Sequence, residues 1–215
     1  HNIEFSNSKF TDKGTITGLT EPLRFVHYDQ TSNTVWASHP YPAVYKLELS
    51  SDRKNIIKQY LFTQKEGLPS TLNNFVFHIK NRIVIATEKG IYEYISQKNI
   101  FALSDFFKPV FKDNPLQYLK EDNDGNIWFV SNNEIGVVDY QESSKNNPFT
   151  IVHFRELNSK LVAGFESIYP YDEENIFVGA NKGIYHINYL KYTHNVKKLN
   201  DLLTVVALFG KKDSI

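Results

Sequence analysis

The sequence contains no cysteine and no methionine among its 215 residues. Without cysteine, the protein can form no disulfide, no thiolate metal site and no cysteine nucleophile. Basic and acidic residues number 24 each, so the formal net charge is zero. A protein without an excess of positive charge lacks electrostatic support for binding nucleic acid or an anionic membrane, and we expect neither partner.

Long apolar runs are also missing. No stretch approaches the roughly 18 residues that a membrane-spanning helix needs, so we expect no membrane insertion by this region. The chain starts at His1 instead of Met, which predicts an internal fragment of a longer protein. Aromatic residues are abundant by contrast, with 13 Tyr and 16 Phe, and this composition favours β structure.

One stretch begins like a calcium loop: KEDNDGNIWFVSNNEIGVVDY, residues 120–140. If Gly125 took the sixth position of an EF-hand loop, Lys120 would be the first ligand and Ser131 the last. A cation at the first position and no closing carboxylate argue against calcium. Asp-Gly is instead a tight-turn pair, so we expect a hairpin that joins LQYLKED to NIWFVS.

The same pattern recurs four times: a β-patterned run, a polar turn, a strand with a large or branched apolar residue, a second turn and a third strand. The apolar residues, which we call the repeat anchors, lie 48, 44 and 49 residues apart: Trp36, Val84, Trp128 and Phe177. We place the second turn at glycines 46 and 47 residues apart, which we expect to adopt φ > 0: Gly90, Gly136 and Gly183.

A period near 46 residues with strand alternation predicts an all-β fold, a β-propeller of about four recognisable four-stranded blades. Helical repeats of this length are excluded because the apolar residues alternate with period two. The predicted fourth strands are IIKQYLF, NIFALSDF and FTIVHFREL. The predicted boundaries are a partial blade at 1–20, repeats near 21–66, 67–112, 113–160 and 161–201, and an exit strand or linker at 202–215.

Little in the sequence points to catalysis. The seven histidines form no zinc signature, and no nucleophile elbow, phosphate loop or dinucleotide fingerprint occurs. We therefore predict no catalytic residue, no metal ligand and no cofactor. EDNDG and YDEEN cluster carboxylates, but at turns, where such groups are usually solvated. A metal-dependent propeller hydrolase or lactonase would need acidic or histidine ligands converging from several blades, and we identify no such set.

The tryptophan anchors have two interpretations. Trp36 and Trp128 could stack on a sugar ring. They also occupy equivalent strand positions, where a large apolar side chain packs between blades, and we favour packing. We identify no ligand-binding residue from the sequence.

GLPSTLNNFVFHIKNRIVIATEKGIYEY resembles the two-component-regulator propeller repeat. The resemblance is carried by Gly-Leu-Pro-Ser at 67–70, Asp-Gly-Asn-Ile-Trp at 124–128 and Gly-Ile-Tyr at 183–185. The tail LLTVVALFGKKDSI resembles the segment that leads from such a propeller into a β-sandwich with a triple-tyrosine motif. The first two repeats depart from the pattern, with SHPYPAV in place of the glycine turn and Asn81-Arg82 in place of Asp-Gly.

The resemblance implies a non-catalytic sensor region of a membrane-bound bacterial signal-transduction regulator, located in the periplasm. It implies a propeller of roughly seven blades and, beyond the membrane, a histidine kinase or a helix-turn-helix output. Expected partners are an oligosaccharide or another small ligand, the adjacent blades and β-sandwich module of the same chain, and a second copy in a homodimer. A propeller scaffold for protein–protein contacts is the alternative.

Overall fold

The computed structural model describes residues 1–38, 43–141, 148–198 and 206–209, without the side chains of 195–198 and 206–209. These residues form an all-β fold of four four-stranded antiparallel sheets, each a propeller blade, as predicted. Within each sheet the strands follow chain order. A two-stranded hairpin precedes them.

The strands and helices have these bounds. The N-terminal hairpin comprises β1 Ile3–Ser6 and β2 Lys9–Asp12. Sheet 1 comprises β3 Phe25–Asp29, β4 Thr34–Ser38, β5 Val44–Leu49 and β6 Ile56–Phe62. Sheet 2 comprises β7 Phe75–Ile79, β8 Arg82–Thr87, β9 Gly90–Ile95 and β10 Ile100–Leu103. Sheet 3, which follows helix α1 Lys108–Phe111, comprises β11 Tyr118–Glu121, β12 Ile127–Ser131, β13 Glu134–Asp139 and β14 Thr150–His153. Sheet 4 comprises β15 Ser167–Asp172, β16 Asn175–Ala180, β17 Gly183–Ile187 and, after helix α2 Tyr189–Lys198, β18 Val206–Phe209.

The chain divides into two compact units. The first contains 1–78, 82–87 and 91–105, and the second contains 79–81, 88–90 and 106–215. Each unit has its own apolar core, because each sheet presents every second side chain to its neighbour. The core of the first unit is built by Trp36, Val44, Phe62, Leu68, Val76, Ile85 and Phe101. The core of the second unit is built by Trp128, Val130, Ile135, Val137, Phe154, Leu157, Ile168, Ile176, Val178, Ile187 and Tyr189.

The Gly-Leu-Pro-Ser stretch has a clear structural role in the first unit. Gly67 ends a short 3-10 turn with φ of +95°, and a Cβ atom there would lie 2.0 Å from the carbonyl oxygen of Phe101. Only glycine fits this position, because any side chain would overlap the backbone of β10. Leu68 then enters the core.

The structure corrects the prediction for Gly136. Gly90 and Gly183 do follow the second turn, with φ of +90° and +127°. Gly136 lies inside β13, directly opposite Phe129, and the turn of that sheet is instead formed by Asn132 and Asn133 at φ of +51° and +63°. Gly136 is glycine for a different reason, since a Cβ atom would overlap the Phe129 ring at 2.4 Å.

The predicted fourth strands of three repeats are present as β6, β10 and β14. In sheet 4 the fourth strand, Val206–Phe209, lies within the segment 202–215 that the sequence analysis assigned to the exit, and it pairs with β17. The rest of 202–215 lies outside the described residues. Residues 1–20 contain the N-terminal hairpin, and their assignment to a preceding blade stays a prediction.

Candidate functional site

The repeat anchors lie in the second strand of each sheet. Trp36, Val84 and Trp128 are buried, whereas Phe177 is half-buried and packs beside His186 with ring centroids 5.4 Å apart. Trp36 belongs to the core of the first unit and Trp128 to that of the second. Burial leaves neither indole face open to stack on a sugar.

The turn between β11 and β12 is organised by one carboxylate. The Oδ1 atom of Asp122 accepts hydrogen bonds from the backbone N–H groups of Asp124 and Asn126, at 3.0 and 2.8 Å. Its Oδ2 atom accepts from the Asn126 side chain at 3.2 Å and from the Trp128 indole at 3.0 Å. Asp122 therefore joins the turn to the buried tryptophan, and its oxygens already have partners.

A second carboxylate, which is buried, connects sheet 3 to helix α2. Asp139, at the end of β13, accepts a hydrogen bond from the hydroxyl of Tyr189 at 2.6 Å and one from the backbone N–H of Gln141 at 2.8 Å. Tyr189 is the first residue of α2, and its ring packs edge-on against Trp128 at 5.4 Å. This contact holds the helix over the turns of sheets 3 and 4.

Between these turns and the helix lies a cleft of about 230 Å³, entirely within the second unit. It brings together the EDNDG and YDEEN turns that the sequence analysis noted separately. The lining residues are Asp122, Asn123, Asp124, Asn126, Trp128, Asp139, Gln141, Pro170, Tyr171, Asp172, Glu173, Ile176, Tyr189, Leu190, Thr193 and His194. Five of them are carboxylates and none is lysine or arginine, so the cleft disfavours anionic ligands.

Three of the carboxylates that line the cleft accept hydrogen bonds from neighbouring groups. Asp122 and Asp139 are committed to the hydrogen bonds above, and Asp172 accepts from the backbone N–H of Glu174 and the side chain of Asn175. Tyr171 is 60% exposed and offers a ring face at the rim. Tyr171 is a residue that the sequence analysis did not single out, although it lies inside the YDEEN turn region.

Two histidines in the strands, His78 and His186, have defined neighbours. His78 stacks on His27 with ring centroids 4.4 Å apart and planes 2° apart. His186 lies with its Nε2 atom 2.9 Å from the carbonyl oxygen of Glu174 and 3.1 Å from Oδ1 of Asn175. Among the residues that the structure describes, no group of three or more His, Asp or Glu side chains is arranged to hold a metal ion.

Solved structures with a similar fold come from B. thetaiotaomicron. Two are of the extracellular domain of BT4673, assigned in one case to a one-component system and in the other to a hybrid two-component system. They have TM-scores of 0.51 and 0.52 and sequence identities of 12% and 14%, and the similarity covers 78% and 84% of this chain. The third is the extracellular domain of BT3049, assigned to a hybrid two-component system, with a TM-score of 0.53, 14% identity and 86% of this chain covered.

The chain shares the fold of these domains. It spans only 22%, 24% and 26% of their lengths, about a quarter in each case. No family model matches the chain, and no curated protein matches it in sequence.

Proposed function

We propose that this chain is a sensor region, a ligand-recognition and signal-transmission propeller, of a membrane-bound bacterial signal-transduction regulator. The observation that carries the proposal is the fold that the chain shares with three extracellular domains of such systems. The resemblance of residues 67–94 to the two-component-regulator propeller repeat supports it independently, because it rests on sequence motifs. The output beyond the membrane, a histidine kinase or a helix-turn-helix module, stays a prediction, as does the full number of about seven blades.

The proposed location is the periplasm. The similar structures are extracellular domains, which supports a place outside the inner membrane. No helix in the described part of the chain combines the length and the apolar character that crossing a membrane requires.

We propose a non-catalytic role for the cleft in the second unit. A hydrolytic site would need a group free to donate or accept a proton at the substrate. Asp122 and Asp139 instead hold a turn and a helix in place, with Asp139 buried and bonded to Tyr189. Carboxylates in this arrangement contribute rigidity to a binding surface.

The ligand class proposed for the cleft is a neutral oligosaccharide. Carboxylate oxygens and the hydroxyl of Thr193 accept and exchange hydrogen bonds with sugar hydroxyls. The exposed ring of Tyr171 offers the apolar face on which a pyranose ring packs. Acidic sugars are disfavoured, because five carboxylates and no lysine or arginine line the cleft.

A thermal-shift screen tests this proposal. The chain is heated with neutral oligosaccharides and, separately, with uronate or sulfated oligosaccharides. A neutral ligand at about a hundred times its Kd should raise Tm by about 5 °C or more, since binding to the folded state alone stabilises it. Tyr171→Ala should remove that shift. Phe165→Ala is the control, because Phe165 is an exposed aromatic residue of the second unit that does not line the cleft.

The proposal for the ligand fails if acidic oligosaccharides shift Tm while neutral ones do not, or if Tyr171→Ala leaves the shift unchanged.

A protein-interaction scaffold is the second candidate function, and the exposed aromatic side chains of sheet 4 favour it. A Tm that no small molecule changes, together with a purified protein partner that raises it, would favour the scaffold.

A further inference from the structure

The turn between β7 and β8 contains a lysine in an unfavourable backbone conformation. The turn consists of Lys80 and Asn81, which have φ values of +51° and +58°. A two-residue hairpin with two positive φ values is a type I′ turn, in which glycine and asparagine are preferred because the left-handed region crowds a Cβ atom. Lysine is a poor residue for this position on backbone grounds, so a contribution from its side chain is expected.

Lys80 contacts sheet 3 within the second unit, to which residues 79–81 belong. Its backbone N–H donates to Oε2 of Glu121 at 2.6 Å, and its Nζ atom lies 3.5 Å from Oε1 of the same carboxylate. The Nζ atom also donates to the carbonyl oxygen of Gly125 and lies 4.6 Å from the centroid of the Tyr140 ring. One cation therefore contacts the end of β11, the turn that follows it and the residue after β13.

The surroundings of this cation differ from those of an exposed ion pair. The side chains of Lys80 and Glu121 are only 25% and 28% exposed. A solvated pair contributes little to stability, but here a carboxylate, a carbonyl oxygen and an aromatic face surround a partly shielded ammonium. Because the three groups lie on different segments, moving one segment away from the others breaks at least one contact.

The turn that Lys80 contacts is one wall of the cleft in the second unit. Four residues of the turn line the cleft: Asp122, Asn123, Asp124 and Asn126. Gly125 lies among them in sequence but is not a lining residue, and neither are Lys80, Glu121 and Tyr140. The cation therefore supports the wall from outside the cleft.

The segment after β13 is bonded to the same wall. The backbone N–H of Tyr140 donates to Oδ1 of Asn126 at 2.9 Å, and the side chain of Gln141 donates to the carbonyl oxygen of Asp124 at 2.6 Å. Lys80 contacts both this segment, through the Tyr140 ring, and the turn, through its carbonyl oxygen. Its ammonium thus restricts the movement of two neighbouring parts of the cleft at once.

We propose that Lys80 is a positioning residue of the cleft, whose ammonium holds the turn at 122–126 in the conformation that binds the sugar. The inference rests on the proposed function, because it assigns a role in ligand binding to a residue outside the cleft. A wall that is already ordered raises affinity, since the ligand does not have to order it on binding. An Asp-Gly turn between β7 and β8 would lack this cation.

Amide hydrogen exchange of the unliganded chain tests the positioning directly. Lys80→Met keeps an unbranched side chain but loses the ammonium, and it should speed exchange of the backbone N–H groups at 124–126 by at least about 10-fold. Lys80→Arg should stay within about 3-fold of the wild type, because the guanidinium keeps the charge and the donors. The N–H of Glu174, in the turn of sheet 4, is the internal reference. Unchanged exchange at 124–126 in Lys80→Met overturns the proposal.

Isothermal titration with each neutral oligosaccharide that raises Tm in the thermal-shift screen measures the effect on binding. Lys80→Met should weaken binding by at least about 10-fold, and Lys80→Arg should restore most of it. Lys182→Met removes the same charge from an exposed turn away from the cleft, and Val152→Ala weakens the core of the same unit from β14. Both controls should bind within about 2-fold of the wild type.

Failure of this inference is distinguishable from failure of the proposed function. If oligosaccharides bind and Lys80→Met binds them as tightly as the wild type, or if Val152→Ala weakens binding equally, the positioning role is overturned while the ligand class stands. If no oligosaccharide binds the wild-type chain, the proposed ligand class fails, and the exchange comparison still decides whether Lys80 holds the turn.

Discussion

At the scale of single residues, two side chains of the same type serve different purposes within one turn. Asp122 uses both carboxylate oxygens to organise a turn and to bind the indole of a buried tryptophan. Its neighbour Asp124 is exposed and contributes only its backbone N–H to that network. Two aspartates in one turn therefore differ sharply in their contribution to stability.

Replacing Asp122 should show this difference. Asp122→Ala leaves the buried Trp128 indole N–H without its acceptor and removes the acceptor of two backbone N–H groups. We expect a loss of about 2–3 kcal/mol in the free energy of unfolding. Asp124→Ala should change it by less than about 0.5 kcal/mol. Urea unfolding followed by tryptophan fluorescence measures both, and equal effects of the two substitutions would contradict the account.

The stacked histidines of the first unit predict a pH dependence. Burial lowers the pKa of His27, the nearby His78 lowers it further, and Asp29 partly opposes both. The folded state therefore binds fewer protons than the unfolded chain as pH falls through the ordinary histidine pKa near 6.5. Stability is fully present above that pH and decreases below it.

We expect the urea midpoint to fall between pH 7 and pH 5, and His27→Gln to reduce that fall. Titration of the His27 ring protons by NMR measures the pKa directly. A midpoint above that of histidine in an unfolded peptide would contradict the prediction, because the folded state would then bind more protons and stability would rise on acidification.

At the scale of elements, turns and close backbone contacts determine which glycines cannot be replaced. Gly67→Ala would place Cβ 2.0 Å from a backbone oxygen of β10. The backbone of β10 cannot move away without breaking sheet 2. We therefore expect Gly67→Ala to lower the free energy of unfolding by more than about 3 kcal/mol.

Gly14→Ala is the matched control for Gly67→Ala. Gly14 also has a positive φ, of +101°, but nothing lies within 4 Å of the position that a Cβ atom would take. Gly14→Ala should therefore lower the free energy of unfolding only through the unfavourable backbone conformation, by about 1 kcal/mol. Thermal unfolding of both variants separates the effect of the close contact from the effect of the positive φ. Equal losses of stability in the two variants would contradict the prediction, because they would show that the structure adjusts easily around a Cβ atom at position 67.

The N-terminal segment should divide into a dispensable and an essential part. All residues of β1 and β2 are exposed, whereas Thr17 bonds the backbone of Lys54 and Ile56, and Leu19 and Leu23 cover sheet 1. Deleting residues 1–14 should lower the free energy of unfolding by less than about 1 kcal/mol, which corresponds to a fall in Tm of less than about 2–4 °C. Deleting 1–23 should cost about 3 kcal/mol or more, because two leucines leave the core. Equal melting temperatures for the two deletions would contradict this division.

Strand periodicity was sufficient to predict the sheets, because each hairpin is local in sequence. It was not sufficient for sheet 4, whose last strand follows helix α2 and so lies outside the period. Gly136 misled the sequence analysis because glycine occurs both in turns and beneath an aromatic ring, and only the register separates the two. The cleft could not be predicted, since it depends on the bond between Asp139 and Tyr189, which are 50 residues apart.

At the scale of the whole molecule, the sequence combines zero net charge with open apolar surfaces. Lysine and arginine balance aspartate and glutamate at 24 each, and the isoelectric point is near 7.2. Without net charge there is no electrostatic repulsion between copies, and aromatic faces such as that of sheet 4 can approach. Away from the isoelectric point every copy carries a net charge of the same sign, and the copies then repel one another.

We therefore expect solubility to be lowest near pH 7 and to rise as the pH is moved to either side. Precipitation by polyethylene glycol across this range measures it. The double variant Lys9→Glu and Lys98→Glu, at two exposed positions, leaves 22 basic and 26 acidic residues and a net charge of −4. Its solubility minimum should move to more acidic pH if charge governs the behaviour. If the minimum stays at pH 7 in the double variant, net charge has little influence on solubility.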